Sequence, residues 1–115
     1  MSFTPKVRLY LDDQVAFGPG KARLLALIAE TGSISAAARG MGMSYRRAWV
    51  LVETMNQCFA APLVATAQGG KGGGGATITD TGRQVLALYE QVNSELRTSD
   101  AVQALGALAN PETDH

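Results

Sequence analysis

The 115-residue sequence predicts a single mainly α domain of the α+β class, and three observations support this prediction. First, an apolar fraction of 46% and a charged fraction of 17% are typical of a chain that closes a hydrophobic core. Second, several segments repeat apolar residues at helical spacing and are bounded by serine, threonine, glycine or proline. Third, two pairs of short apolar or alternating segments are candidate strands.

The first two predicted elements are strands. Residues 6–11 alternate apolar and polar side chains, as a half-buried strand does, and residues 14–18 are the candidate partner after a turn at Asp12-Asp13. The paired carboxylates fit a solvated turn better than catalysis. The later elements, in chain order, are helices over 21–31, 35–39 and 45–59, strands over 63–67 and 76–79, and a helix over 80–99.

The helix boundaries follow from residues that start or stop a helix. Pro19 suits a first helical position because its missing N–H would be unpaired there, and Gly32 ends that helix. Ser33 and Ser44 each offer a hydroxyl that accepts a hydrogen bond from an unpaired N–H at the next helix start.

A short helix of small residues, a tight turn, a longer helix and a hairpin form the element order of a winged helix-turn-helix. We therefore predict this fold for residues 1–99, with short N-terminal strands, a β-hairpin wing and a long C-terminal helix. Residues 100–115 are read as a C-terminal tail that is partly disordered.

The start of the helix predicted over 45–59, the second helix of the helix-turn-helix, is the predicted DNA-reading surface. In this fold the recognition helix enters the major groove, and the forked donors of arginine match guanine or a phosphate. Two adjacent arginines can also be plain solvated charges, but their place after the turn favours DNA contact. Trp49 is left open between packing under the helix pair and reaching the DNA edge. The predicted contacts on the helix pair are Ser33, Ser35, Ser44, Tyr45, Arg46 and Arg47.

Residues 68–75 form a glycine-rich tip between the last two strands, with six glycines around Lys71 from Gly69 to Gly75. A nucleotide-binding P-loop requires a serine or threonine after its lysine and then a helix, whereas here a glycine and a strand follow. A flexible hairpin without function is one alternative. The favoured interpretation is a wing that offers Gly70, Lys71 and Gly72 to phosphates.

The charge distribution agrees with an anionic partner although the net charge is zero. Residues 39–79 carry four cations against one anion, whereas residues 80–115 carry two cations against six anions. Such sorting indicates one face for a polyanion and another face held away from it.

Catalysis and metal binding find no support in the sequence, and we expect no enzyme activity. His115 is the only histidine and lies at the chain end, where it frays too easily to serve a nucleophile. Cys58 is the only cysteine, so it is read as a small apolar residue in a reducing cytoplasm.

Five segments resemble the N-terminal DNA-binding domain of the ModE family, the molybdate-responsive transcription regulators related to the LysR type. The serine-tyrosine-basic run and the glycine-lysine tip together are specific, and the resemblance covers about residues 5–98. The segments are Gly32–Ala38, Met43–Trp49, Met55–Gln57, Gly69–Ala76 and Ile78–Gly82.

The resemblance implies a homodimer that binds a palindromic operator through two recognition helices (about 44–58) and two wings. It also implies that the first and last helices form the dimer contact, although ordinary core packing remains an alternative for the last helix. The residues assigned to dimerisation are Leu24, Ile28, Val85, Leu88, Tyr89, Val92 and Leu96.

ModE proteins continue into a molybdate-binding region of the molbindin kind, and this sequence ends before one could begin. We therefore expect no molbindin domain and no bound cofactor, while a molybdate response stays open by resemblance. An alternative function is a protein-interaction module that pairs with a full-length regulator or another protein and does not bind DNA.

Overall fold

A computed structural model describes residues 2–67 and 75–111. Within this part the chain forms five helices and four short strands, which confirms the predicted α+β class and the element order of a winged helix-turn-helix. The elements are β1 (Leu9–Leu11), β2 (Gln14–Phe17), α1 (Pro19–Thr31), α2 (Ile34–Gly40), α3 (Tyr45–Cys58), β3 (Val64–Thr66), β4 (Ala76–Ile78), α4 (Asp80–Arg97) and α5 (Asp100–Ala107).

The strands form two separate antiparallel hairpins, β1 with β2 and β3 with β4. The prediction that the first strand is half-buried is wrong, because all three residues of β1 are exposed. The burial lies instead on β2, where Ala16 and Phe17 enter the core. Alternating apolar and polar residues give a strand one apolar face, but that face is buried only where another part of the protein packs against it.

The core lies between the helices and the start of β3. Its largest fully buried side chains are Phe17, Leu24, Leu25, Ile28, Val52, Met55 and Leu63. Phe17 makes edge-to-face contacts with Phe59 and Tyr89, with ring centroids 6.2 Å and 5.0 Å away. These geometries suit the ring quadrupoles, so Phe17 joins the first hairpin to α4 and to the end of α3.

The start of α4 packs directly on the start of β3. The Thr79 hydroxyl caps the helix by accepting from the Gly82 N–H at 3.0 Å. A Cβ atom added at Gly82 would overlap the carbonyl oxygen of Leu63. Farther along the helix, the Tyr89 hydroxyl donates to the Val7 carbonyl at 2.6 Å, and Asn93 accepts from the Val7 N–H. The N-terminal segment is thereby held against α4.

The segment after residue 99 is more regular than the predicted tail, since residues 100–107 form α5. Ser99 caps this helix by accepting from the Val102 N–H, and Asp100 supplies negative charge to its first turn. Leu105 and Leu108 are exposed. Residues 112–115, the end of the predicted tail, lie outside the described residues.

No helix in the described part of the chain has both the length and the apolar character needed to cross a membrane.

Candidate nucleic-acid interface

The helix pair α2 and α3 is joined by a tight turn over residues 41–44. Gly42 has a φ of 67°, a left-handed conformation that glycine adopts without a steric cost. The backbone N–H of Met43 donates back to the carbonyl of Ala38 at 3.0 Å. Ala37 and Ala48 are completely buried, so their small side chains allow the two helices to cross closely.

Serine hydroxyls define the starts of both helices, as the sequence predicts. Ser33 accepts from the N–H of Ala36 at 3.0 Å, and Ser44 accepts from the N–H of Arg47 at 3.1 Å. Each hydroxyl uses an acceptor site in this bond and keeps its own hydrogen for another partner. Ser35 accepts from the Arg39 guanidinium at 3.2 Å.

The first turn of α3 presents its side chains to solvent. Tyr45 is 52% exposed, and Arg46 and Arg47 are also exposed. Within the described residues neither guanidinium has an ion pair or a side-chain hydrogen bond. Their donors are therefore available to a ligand without breaking an internal contact.

Trp49 takes the packing role, one of the two that the sequence left open, and its contact with DNA stays a prediction. It is half-buried and packs against the core, yet it also lines a shallow depression of about 210 Å³ beside α3. Ser33, Ser35 and Tyr45 line the same depression, together with Thr66 from β3. The depression thus lies between the starts of α2 and α3 and the base of the β3–β4 hairpin, the wing.

One backbone hydrogen bond joins the wing base to the junction of α1 and α2, and another closes the hairpin itself. The N–H of Ala76 donates to the carbonyl of Gly32 at 3.0 Å, and the N–H of Ala67 donates to the carbonyl of Gly75 at 2.9 Å. Its tip, with the predicted contacts Gly70, Lys71 and Gly72, lies outside the described residues, which stop at 67 and resume at 75.

Asn56 joins α3 to the wing, a role that is not among the predicted site contacts. From α3, its Oδ1 accepts from the N–H groups of Leu63 at 2.8 Å and Val64 at 3.1 Å. Its Nδ2 donates to the Val64 carbonyl at 3.2 Å. Asn56 therefore sets the position of the wing relative to α3. The hints in the sequence were its place in the family-like segment Met55–Gln57 and a polar residue next to the buried position Met55.

Three of the seven predicted dimer residues belong to the core of the protomer. Leu24 and Ile28 are fully buried, and Tyr89 is 5% exposed with its hydroxyl bound to Val7. Such side chains cannot also contact a second copy, so this part of the prediction is corrected. Leu88 and Val92 are exposed, and Val85 and Leu96 are half-buried.

Comparison with known proteins places this arrangement in a family. The model of the bacterial regulatory helix-turn-helix proteins of the lysR family matches residues 20–83, from α1 to the first turn of α4. The crystal structure of a LysR family transcriptional regulator aligns with a TM-score of 0.52 and 16% identity, over 67% of this chain and 25% of that one. This likeness shows the shared fold.

Curated relatives are more similar in sequence. The molybdenum-pterin-binding protein MopB of Rhodobacter capsulatus is 49% identical over 67% of this chain and 28% of its own length. The molybdenum transport protein ModE of Azotobacter vinelandii is 36% identical, over 84% of this chain and 36% of that protein. The DNA-binding transcriptional dual regulator ModE of Escherichia coli (strain K12) is 43% identical, over 71% of this chain and 31% of that protein.

The chain spans about a third of the length of these relatives. The matched region contains the helix pair, the wing strands and the start of α4. The chain therefore belongs to the LysR family of bacterial regulatory helix-turn-helix proteins, of which it is a ModE-like member.

Proposed function

We propose that the chain is the DNA-binding part of a transcription regulator and reads double-stranded DNA with α3 in the major groove. The observation that carries the proposal is the pair of exposed guanidiniums of Arg46 and Arg47 on the first turn of α3, which have no side-chain partner among the described residues. Tyr45 and the Ser44 hydroxyl lie beside them, and both can bind a phosphate or a base edge. The wing approaches the flanking backbone, with Lys71 offered to phosphates.

Removing the arginines tests this proposal. Arg46→Ala and Arg47→Ala are each expected to weaken binding to a cognate site by about 1–3 kcal/mol and to relax base preference. Lys71→Ala is expected to weaken binding evenly across sequences and to reduce the salt slope by about one unit. Fluorescence anisotropy titrations at several salt concentrations measure both effects.

Arg23→Ala is the matched control, because Arg23 is an exposed cation on α1 in a groove that α1 shares with α4. DNA affinity that changes neither with salt nor with Arg46→Ala, Arg47→Ala or Lys71→Ala would contradict the proposal. It would favour the alternative protein-interaction module.

Selection of bound genomic fragments with and without molybdate reports operator symmetry and any effector response, and we expect DNA binding to need no cofactor.

We also propose that two copies pair through the exposed apolar face of α4. Leu88 is 53% exposed and Val92 is 38% exposed, one turn apart on the same face. A twofold pair would present two recognition helices to a palindromic site. The acidic composition of residues 80–115 suits a surface that faces away from DNA.

A charge placed on this face tests the pairing. Leu88→Glu is expected to destabilise the dimer by on the order of 3 kcal/mol, because two unpaired carboxylates would be desolvated at the twofold contact. Sedimentation velocity should then show a monomer that binds a half-site but loses its preference for a palindrome. Ser94→Glu adds the same charge at an exposed position of α4 that points away from the face of Leu88 and Val92, and it should leave the native assembly unchanged. A Leu88→Glu dimer as stable as the native one refutes this interface.

A further inference from the structure

A second cleft lies along α3, on the flank opposite the wing. Tyr45 and Trp49 line the wing-side depression, whereas Arg47 and Leu51 line this second cleft. Positions two residues apart on a helix differ by about 200° around its axis, so the two pairs face opposite sides. The second cleft has a volume of about 360 Å³.

Among the described residues, the lining of this cleft carries three cations and no carboxylate. Arg8 comes from the segment before β1, Lys21 from the first turn of α1, and Arg47 from the first turn of α3. Gly20 lines the same opening, so backbone at the start of α1 also faces it. Three cations from three elements would repel one another at this site, and an anion between them would relieve that repulsion.

Internal contacts hold two of the three cations at the cleft. The Lys21 ammonium donates to the Val15 carbonyl at 2.6 Å, which leaves two of its three N–H donors for another partner. The stem of Arg8 lies against Gly18, where an added Cβ would stand 3.2 Å from the Arg8 Cγ atom. Burial lowers the pKa of Lys21, with an opposing effect of Cys58. A bound anion would compensate this loss of hydration.

We propose that this cleft binds backbone phosphates of the DNA strand opposite the one that faces the wing. The inference deepens the proposed function and rests on it. A helix about 10–12 Å wide fills a major groove about 12 Å wide, so each flank of the helix faces one of the two phosphate backbones. The wing serves one flank and Arg8 and Lys21 serve the other, while Arg47 lies between this cleft and the base-reading start of α3.

Neutral substitutions test the cleft separately from base reading. Arg8→Gln and Lys21→Gln are each expected to lower DNA affinity about fivefold near 0.15 M salt, equally on all sequences, and to reduce the salt slope by about one unit per subunit. Arg23→Gln removes the same charge two residues from Lys21, on the opposite side of α1, and should change neither quantity. Glutamine at position 21 retains a donor for Val15, and thermal unfolding monitors the fold of each variant.

Methylphosphonate substitution on single strands of a cognate duplex locates the contact. Neutralising the phosphates at the cleft should weaken the native chain more than the Arg8→Gln variant, and these phosphates should lie on the strand away from the wing. If Arg8→Gln and Lys21→Gln both bind DNA with the affinity and salt slope of the native chain, this inference is overturned, whereas the proposed role of the recognition helix is unaffected. A native chain that binds no duplex at all overturns the proposed function as well.

Discussion

Replacing Phe17 with alanine is expected to lower the free energy of unfolding by about 3–5 kcal/mol. Phe17 is fully buried, and the substitution removes its ring from between Phe59 and Tyr89. Because those two residues belong to different parts of the fold, neither can move into the cavity without disturbing another contact. The loss is a large share of the roughly 5–15 kcal/mol by which domains are stable.

Urea unfolding followed by far-ultraviolet circular dichroism measures this effect. Phe3→Ala is the matched control, since Phe3 is 51% exposed and its loss is expected to change stability by at most about 0.5 kcal/mol. Equal stability of the two variants would show that Phe17 does not join the first hairpin to α4 in the way described.

The second large effect is expected at Asn56. Asn56→Ala leaves the N–H groups of Leu63 and Val64 without their acceptor and the Val64 carbonyl without its side-chain donor. Partly buried groups without partners carry a desolvation cost, so we expect a loss of about 2–4 kcal/mol. Asn56→Asp keeps the acceptor and should recover about half of that loss.

The role of Asn56 in wing position is separable from its role in stability. If the amide positions the wing, Asn56→Ala should reduce the additional effect of Lys71→Ala on DNA binding at temperatures where both proteins are folded. Gln57→Ala, at an exposed position next to Asn56, serves as control for both measurements. A Lys71 effect of full size in the Asn56→Ala background would assign Asn56 to stability alone.

Much of the fold could be predicted because its signals are local. Serine caps at 33 and 44, the stop at Gly32 and the apolar spacing of each helix depend on residues within one or two turns. The exposed start of α3 follows from the same local signals, since Ser44 caps the helix and two adjacent arginines in its first turn favour solvent. The start signal at Ser99-Asp100 is also local, and reading it would have predicted α5.

The remaining features depend on which elements meet in space. An apolar stripe containing Leu24 and Ile28 predicts a buried face but does not tell whether α2 and α3 or a second copy covers it. The hydrogen bonds of Asn56 join α3 to the start of β3, and apolar spacing in the sequence does not tell how that strand lies relative to α3. The same holds for Arg8 and Lys21, whose nearness to Arg47 arises only when three separate elements pack together.

The contact of Gly82 with Leu63 couples the movement of α4 to that of β3. With no Cβ to separate them, the first turn of α4 and the start of β3 are in direct backbone contact and should move together. An 18-residue helix is about 27 Å long, so a displacement of its far end by about 5 Å would tilt its first turn by about 10°. We therefore expect a displacement of α4 near Arg97 to change the orientation of β3 at the base of the wing.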